Sequence, residues 1–369
     1  MAPGSIEVDV PVARSVGAAP STKSLKLAGA LNAFESFDPT PLTGREFRKA
    51  NIVDWLRAPN SDDLIRDLAI TVSQRGVVFF RKQDELTPEL QKELLARLGE
   101  LTCRPASSGL HIHPFFNAER DDQGDDDHVV SYIHQKQQKP EPSIKSGGLA
   151  ADALCPKKQN TAEWHSDACF EPVPADYSCK CLRLTTIPPT GGDTLWANGY
   201  ELYDKISEPY QKFLETLTVT FEPPGLKQMC DAAGVTLYSK ERGNPENVGD
   251  VIKAVHPVVR TNPVTGWKSV FAIGGMVKHI NGVAAVESKM LVNWLHDLIF
   301  KNHTIQVRFN WENPNDFAIW DNRSFYHSAT YDFWEMGDRH GCRGSGVGEK
   351  PYLDPKSKSR REDLAASGP

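Results

Sequence analysis

The feature that most restricts the fold of this chain is a series of short apolar segments of β-strand character, separated by turn residues. The segments cover 76–81, 177–187, 217–221, 254–260, 269–273, 305–310 and 317–320. Glycine, proline and asparagine punctuate the chain between them, as in Pro188 to Gly192 and Asn313 to Asp316. Because strand and helix patterns do not alternate regularly, a doubly wound sheet or a (β/α)8 barrel is disfavoured. The pattern predicts a mainly β protein with flanking helices (α+β), folded as a two-sheet barrel or jelly roll.

Four stretches carry the start, stop and spacing signals of amphipathic helices. One covers 61–75, and a second covers 87–99 with Thr87 as its N-cap. A third begins at Ser207, and a fourth covers about 284–301 with its leucines on one side. We expect these helices to flank the sheets.

The two ends and one internal segment differ in composition from the rest of the chain. Residues 1–40 lack sustained periodicity and predict a flexible N-terminal tail, and the charged end predicts another over 353–369. No composition break marks a linker between them, so 41–352 is predicted to be a single domain. Within it, 104–160 contains the acidic run 121–127 and predicts either a mobile lid or a plain surface insertion.

Charge, hydropathy and cysteine content exclude several functional classes. The formal net charge of −6 gives no general attraction for nucleic acid or anionic membranes. No segment approaches the roughly 20 apolar residues of a membrane-spanning helix. The cysteines number seven, an odd count, and the N-terminus lacks a signal-peptide pattern, which favours reduced thiols. The sequence predicts a cytoplasmic protein with no nucleic-acid or membrane partner.

The motif with the most chemical content contains His165 and Asp167. In an extended strand the side chains of residues i and i+2 point to one face, so this imidazole and carboxylate can bind one ion. Such a pair suits divalent iron, and a further histidine would complete a facial triad of two histidines and one carboxylate. His327 follows a predicted strand and precedes Arg339 and Arg343, either of which could bind a dicarboxylate. The residues alone leave other histidines open as the third ligand.

Four motifs occur in a fixed order along the chain. They are Thr161 to Asp167, Thr190 to Trp196, Trp320 to Arg323 with His327, and Gly348 to Pro351. Together they resemble the TauD/TfdA family of Fe(II)- and 2-oxoglutarate-dependent dioxygenases, especially its fungal taurine or alkylsulfonate dioxygenases, over roughly 41–355. The resemblance implies a double-stranded β-helix (jelly roll), the cofactors Fe(II), 2-oxoglutarate and O2, and succinate and CO2 as products. It also implies oxidation of a C–H bond in a small polar, anionic substrate, and a homo-oligomer.

The resemblance assigns roles to individual residues. Those that match the family's iron ligands, and hence its catalytic set, are His165, Asp167 and His327. Arg343 matches the arginine that holds the distal carboxylate of 2-oxoglutarate, and Thr194 matches the hydroxyl that assists it. Arg339 matches a second arginine nearby and is the alternative anchor.

Further residues are implied on the substrate side. His113 matches a substrate-side histidine, although a buried histidine bonded to the backbone is an alternative interpretation. Phe116 replaces a tyrosine that helps to bind sulfonate in taurine enzymes, which removes a hydroxyl donor. Met276 stands where those enzymes place a phenylalanine, and its adaptable thioether indicates a reshaped pocket. Thr161 and Arg343 complete this set. Arg343 is included because an anionic substrate needs a local positive charge.

Other functions stay open on the sequence. The same chemistry could act on an amino acid, a specialised-metabolite precursor or a purine such as xanthine. A metal-binding jelly roll that is not an oxygenase, such as a cupin-like hydrolase, could use the same ligands but would not need an arginine on the open side of the metal. A nucleic-acid oxygenase would need a basic stripe with interleaved aromatic residues, and the sequence offers only a short basic run near its C-terminus.

Overall fold

The larger of two facing sheets runs through the centre of the molecule, which we describe from a computed structural model. The residues that the structure describes are 24–115, 131–135, 164–234, 236–330, 332–333 and 336–367. Within them the larger sheet has six strands, antiparallel except for the first pair. In order across the sheet these are β1 (Arg45–Phe47), β2 (Val77–Phe80), β12 (Phe317–Asp321), β4 (Ala175–Thr186), β14 (Arg339–Val347) and β3 (Ser131–Gln135).

A smaller antiparallel sheet faces the first across a layer of aromatic side chains. Its strands, in order, are β11 (Gln306–Phe309), β5 (Thr194–Asn198) and β13 (Phe325–Ala329). Phe79 of β2 stacks on Phe309 of β11 with ring centroids 4.2 Å apart, and Trp196 of β5 contacts Trp320 of β12 at 5.6 Å. These rings are buried between the two sheets. Packing of the aromatic side chains on the inner face of each sheet therefore holds the sheets face to face.

Two further antiparallel ladders extend the β structure. They comprise β10 (Val277–Asn281), β6 (Thr218–Phe221) and β7 (Ala254–Pro257), and separately β8 (Val259–Thr261) and β9 (Lys268–Val270). The predicted strand at 254–260 is therefore two strands. Their apolar faces form a second core with the helix at 285–301.

The predicted helices are all present, with ends within about two residues of those expected. The helices of the described residues are α1 (Ile52–Arg57), α2 (Ser61–Arg75), α3 (Pro88–Glu100), α4 (Gly199–Lys205), α5 (Glu208–Glu215), α6 (Leu226–Ala233), α7 (Ala285–Lys301) and α8 (Arg360–Ser367). The Thr87 hydroxyl accepts the Leu90 N–H at 3.3 Å, which confirms the predicted cap of α3. None of the helices described here is long and apolar enough to cross a membrane. The predicted combination of sheets and flanking helices is confirmed.

The segment predicted to be a flexible C-terminal tail contains a helix in its described part. Helix α8 docks on α4, where Arg360 pairs with Glu201 at 2.9 Å and the N–H of Arg361 donates to Asp204 at 3.1 Å. The Trp267 indole also donates to Asp363 at 2.9 Å. The charge run looked like a solvated tail because its partners lie far away in the chain.

The predicted N-terminal tail likewise becomes ordered before residue 40. The carboxylate of Asp67 accepts the backbone N–H groups of Ala28, Gly29 and Ala30, each at 2.8 Å, and so fixes the start of a short 3-10 helix at Ala30–Ala33. Residues 1–23 lie outside the described residues.

The first part of the 104–160 segment is fixed to the larger sheet. Arg104 forms a bidentate ion pair with Asp176 of β4 at 2.8 and 2.9 Å, and both side chains are buried. A Cβ at Gly346 would lie 1.9 Å from the Arg104 guanidinium, so glycine makes room there for the ion pair. β3 lies further along the same segment and pairs with β14. A lid role for the remainder, 116–130 and 136–160, concerns residues outside the described ones and stays a prediction.

Candidate functional site

The candidate metal centre forms where a loop meets strand β13. The His165 N–H donates to the His327 carbonyl at 3.1 Å, and the His327 N–H donates to the His165 carbonyl at 2.9 Å. This isolated antiparallel bridge brings the two imidazole rings to a centroid separation of 4.2 Å. Two histidines that are distant in the chain are thus held side by side by their own backbones.

Asp167 completes the cluster. Its Oδ1 lies 3.7 Å from Nε2 of His165 and 3.9 Å from Nε2 of His327. One ligand atom from each residue falls within 4.8 Å of the others. The His327 side chain is 2% exposed, whereas those of His165 and Asp167 are 25% and 13% exposed, so the cluster opens toward solvent on their side. Two imidazoles and one carboxylate are the donor set of non-haem Fe(II) oxygenases, so the predicted residues fit that ion.

The loop that carries His165 is supported from behind by a glycine. A Cβ at Gly274 would lie 2.8 Å from the Trp164 carbonyl oxygen and 3.2 Å from the His165 Cα, and the φ angle of Gly274 is 122°. The Gly274 N–H donates to Nε2 of His296 at 3.2 Å, so this imidazole nitrogen is engaged by the backbone behind the loop. The supporting role of Gly274 left no signal in the sequence beyond its being a glycine.

A second cluster of polar side chains lies where the first residues of β5 and β14 are neighbours. The guanidinium of Arg339, which is 3% exposed, donates to the Gly192 carbonyl at 3.1 Å and to the Thr194 hydroxyl at 3.5 Å. The Trp311 indole donates to the same hydroxyl at 3.2 Å. Because both partners donate to Thr194, its own hydroxyl hydrogen can point to a further acceptor such as a carboxylate. Sequence reasoning missed Trp311, which belongs to none of the four motifs.

The two predicted arginines occupy different environments. Arg339 begins β14 next to Thr194, whereas Arg343 lies further along that strand, half-buried and opposite Ser131 of β3. Sequence counting placed the 2-oxoglutarate anchor at Arg343 and kept Arg339 as the alternative. The structure brings Thr194 to Arg339.

The predicted substrate-side histidine lies near the loop that carries His165 and Asp167, which we call the metal loop. His113 packs edge-on against Phe170 at 5.8 Å, and its Nδ1 accepts the Phe115 N–H at 3.2 Å. Its segment is anchored by His111, whose Nε2 lies 3.2 Å from the buried carboxylate of Glu171. Arg242 pairs with Glu171 at 2.6 and 2.8 Å, and these partners keep the pKa of that carboxyl below its usual range despite burial.

Met276 also lies beside the metal loop. Its Sδ is 4.0 Å from the Sγ of Cys169, which follows Asp167 in the loop. Burial raises the pKa of the Cys169 thiol far above its usual range, so this sulfur stays protonated and behaves as an apolar group. Two other predicted substrate residues, Phe116 and Thr161, lie outside the described residues.

His256 stabilises the turn after the metal loop. Its Nε2 lies 3.1 Å from the Cys169 carbonyl and 3.0 Å from the Glu171 carbonyl. Burial lowers the pKa of His256 to about 3, so the imidazole is neutral at ordinary pH. One of the histidines that the sequence left open as a ligand is thereby committed to backbone carbonyls.

The fold agrees with comparisons to known proteins. The family described as "Taurine catabolism dioxygenase TauD, TfdA family" matches residues 35–345. Alpha-ketoglutarate-dependent dioxygenase btcD of Neocamarosporium betae is 49% identical over 92% of this chain and 97% of its own length. An alpha-ketoglutarate-dependent sulfonate dioxygenase of Saccharomyces cerevisiae is 29% identical over 86% of this chain and 68% of its own length. A solved taurine dioxygenase from Burkholderia xenovorans is 26% identical, with a TM-score of 0.62 over 88% of this chain and 92% of that one.

Proposed function

The chain belongs to the TauD/TfdA family of alpha-ketoglutarate-dependent dioxygenases, and on that premise we propose that His165, Asp167 and His327 bind its Fe(II). The observation that carries the proposal is the backbone bridge that brings His165 and His327 together with Asp167. When bound, Fe(II) with 2-oxoglutarate and O2 supplies the oxidising chemistry, which yields succinate and CO2 as a substrate C–H bond is oxidised. In this proposal the two facing sheets are the halves of a jelly roll, and the aromatic layer between them keeps water from the buried side of His327.

Arg339 and Thr194 bind the distal carboxylate of 2-oxoglutarate in this proposal. A buried guanidinium presents a planar, always-charged fork, and the neighbouring hydroxyl adds a donor. The sequence predicted Arg343 as the 2-oxoglutarate anchor and Arg339 as the alternative. We propose the opposite assignment, because Arg339 is the arginine that lies beside Thr194. Arg343 is then assigned to the anionic group of the substrate.

The substrate in this proposal is a small anion with an apolar portion. Arg343 supplies the positive charge, in accord with the sulfonate and taurine dioxygenases among the relatives. Met276, Cys169 and Phe170 add apolar surface near the metal loop, which suits a longer carbon chain than that of taurine. Amino acids, specialised-metabolite precursors and purines are the alternatives. A cytoplasmic location and a homo-oligomer stay predictions.

Separate binding measurements test the two arginines. Under anaerobic conditions, 2-oxoglutarate added to the Fe(II) protein should give a visible charge-transfer band, and its titration yields a Kd. We expect Arg339→Met to raise this Kd about 30-fold or more, since the variant loses a buried charge-assisted contact of about 2–3 kcal/mol. Arg343→Met is the matched control and should change it less than threefold. A larger rise in Kd for Arg343→Met than for Arg339→Met would restore Arg343 as the anchor. Separately, a charge-transfer band that persists in both His165→Ala and Asp167→Ala would refute the metal assignment.

Substrate-dependent succinate formation tests the substrate class. Taurine, alkylsulfonates of increasing chain length, matched carboxylates, amino acids and xanthine should be compared in one assay. We expect alkylsulfonates longer than taurine to stimulate turnover most, and Arg343→Met to raise KM for the anion. Turnover with an uncharged compound that is insensitive to Arg343→Met would refute an anionic substrate while leaving the dioxygenase assignment intact.

A further inference from the structure

One buried side-chain amide, that of Asn322, joins the backbone of Asp167 to the indole of Trp320. Oδ1 of Asn322 accepts the backbone N–H of Asp167 at 3.1 Å and the indole N–H of Trp320 at 3.0 Å. Both partners can only donate, so the oxygen of the amide must face them and its orientation is settled by chemistry. Asn322 is 1% exposed, so these contacts lie in the protein interior.

The same amide is tied to the larger sheet. Its Nδ2 donates to the hydroxyl of Ser178 on β4, and that hydroxyl lies 2.9 Å from the hydroxyl of Ser345 on β14. The Asn322 backbone N–H donates to the Asp176 carbonyl at 2.9 Å. Asn322 is therefore held by its main chain and its side chain, and a chain of hydrogen bonds leads from the metal loop to the strand that carries Arg339.

Each contact of the amide oxygen bears on a different metal ligand. The bond to the Asp167 N–H fixes the backbone from which that carboxylate projects. The Trp320 ring packs against the His327 imidazole with centroids 4.8 Å apart, so the bond to the indole holds the surface on which that ligand rests. Ser166, between His165 and Asp167, is held separately by its hydroxyl donating to the Phe325 carbonyl at 3.1 Å.

We propose that Asn322 is a positioning residue for the metal centre. Through its single amide oxygen, Asn322 fixes the position of the Asp167 carboxylate relative to the His327 imidazole. The inference rests on the proposed metal ligands and assigns a role to a residue that touches neither the ion nor the substrate. Groups that orient metal ligands in this way typically affect metal affinity about 10- to 100-fold.

The test uses Co(II) in the full-length protein, because its visible d–d spectrum reports coordination directly without turnover. Asn322→Leu keeps the approximate volume and removes every hydrogen bond of the amide. We expect it to weaken Co(II) binding about 10- to 100-fold and to change the d–d spectrum. Asn322→Asp should restore both, because a carboxylate oxygen accepts the same two N–H groups and the Ser178 hydroxyl can donate to it.

Two controls separate positioning from general loss of stability. Asn247 is an equally buried asparagine whose amide bonds the backbone N–H and carbonyl of Val173, and Asn247→Ala should lower the Tm without changing the Co(II) spectrum. Ser178→Ala removes only the link to the sheet and should weaken binding a few-fold. If Asn322→Leu does not fold, Asn322→Asp decides the role of the amide oxygen, because a 10- to 100-fold loss of Co(II) affinity in that variant would overturn it. Wild-type Co(II) affinity in Ser178→Ala would overturn the link to the sheet.

The outcomes also separate this inference from the metal assignment. Wild-type affinity and spectrum in Asn322→Leu, or equal losses in Asn247→Ala, would overturn the role of Asn322. If His165→Ala binds Co(II) like the wild type, the ligand set itself is wrong. If His165→Ala loses Co(II) binding while Asn322→Leu binds Co(II) like the wild type, the assignment of the metal ligands stands. Only the positioning role of Asn322 is then refuted.

Discussion

Gly274 offers a sharp test of how the metal loop is held. Its φ of 122° is one that L-amino acids rarely adopt, so alanine there costs about 1–3 kcal/mol in backbone strain. The added Cβ would also lie 2.8 Å from the Trp164 carbonyl oxygen and 3.3 Å from the His165 Cβ, an overpacking that typically costs about 1–3 kcal/mol. We expect Gly274→Ala to lower the free energy of unfolding by about 2–6 kcal/mol in total.

The same displacement reaches the metal centre, because the clashing atoms belong to His165 and the residue before it. We expect Gly274→Ala to weaken divalent-metal binding about 10- to 100-fold. Gly234 is the matched control: it also has a positive φ, of 68°, but a Cβ there would meet nothing within 4 Å. Gly234→Ala should cost only about 1–2 kcal/mol and leave metal affinity unchanged.

Urea denaturation of the metal-free proteins measures the first effect, and Co(II) titration measures the second. The reasoning fails if Gly274→Ala and Gly234→Ala lose equal stability and bind Co(II) equally well, because the close contact with the loop would then have no energetic consequence.

The remaining predictions concern the surroundings of the site. Since the pKa of His256 is lowered to about 3, the unfolded chain takes up a proton below about pH 6.5 that the folded chain excludes. The free energy of unfolding should therefore fall by up to about 1.4 kcal/mol per pH unit between pH 6 and 4, and His256→Asn should flatten that slope in pH-dependent urea titrations. Gly346→Ala should cost about 3–5 kcal/mol in the same assay, because its Cβ would lie 1.9 Å from Arg104 and would break the buried pair with Asp176; a Tm within about 2 °C of the wild type would contradict this. Deleting 360–367 should cost about 2–4 kcal/mol through lost charge-assisted hydrogen bonds, whereas removal of a flexible tail would cost nothing.

The elements that could be predicted from the sequence are those whose start and end signals come from residues close together in the chain. Helices α2 and α3 were placed from caps, apolar spacing and a closing glycine, all of which act within a few residues. The docking of α8 could not be placed in this way, because its Arg360 pairs with Glu201, far away in the chain. Strands β13 and β14 also escaped prediction, since glycine and polar residues in them serve the site and the Arg104 ion pair rather than strand propensity.

The type of chemistry could be predicted from the residues and their order along the chain. His165 and Asp167 stood out because their pairing suits divalent iron, and the resemblance carried by the order of four motifs pointed to His327 as the third predicted ligand. By contrast, the contact between Arg339 and Thr194, and the contacts of Gly274 and Asn322 with the metal loop, became visible only in the folded structure. Those relations depend on distances between residues far apart in the chain. Spacing along a sequence carries no information about such distances until the sheets have packed.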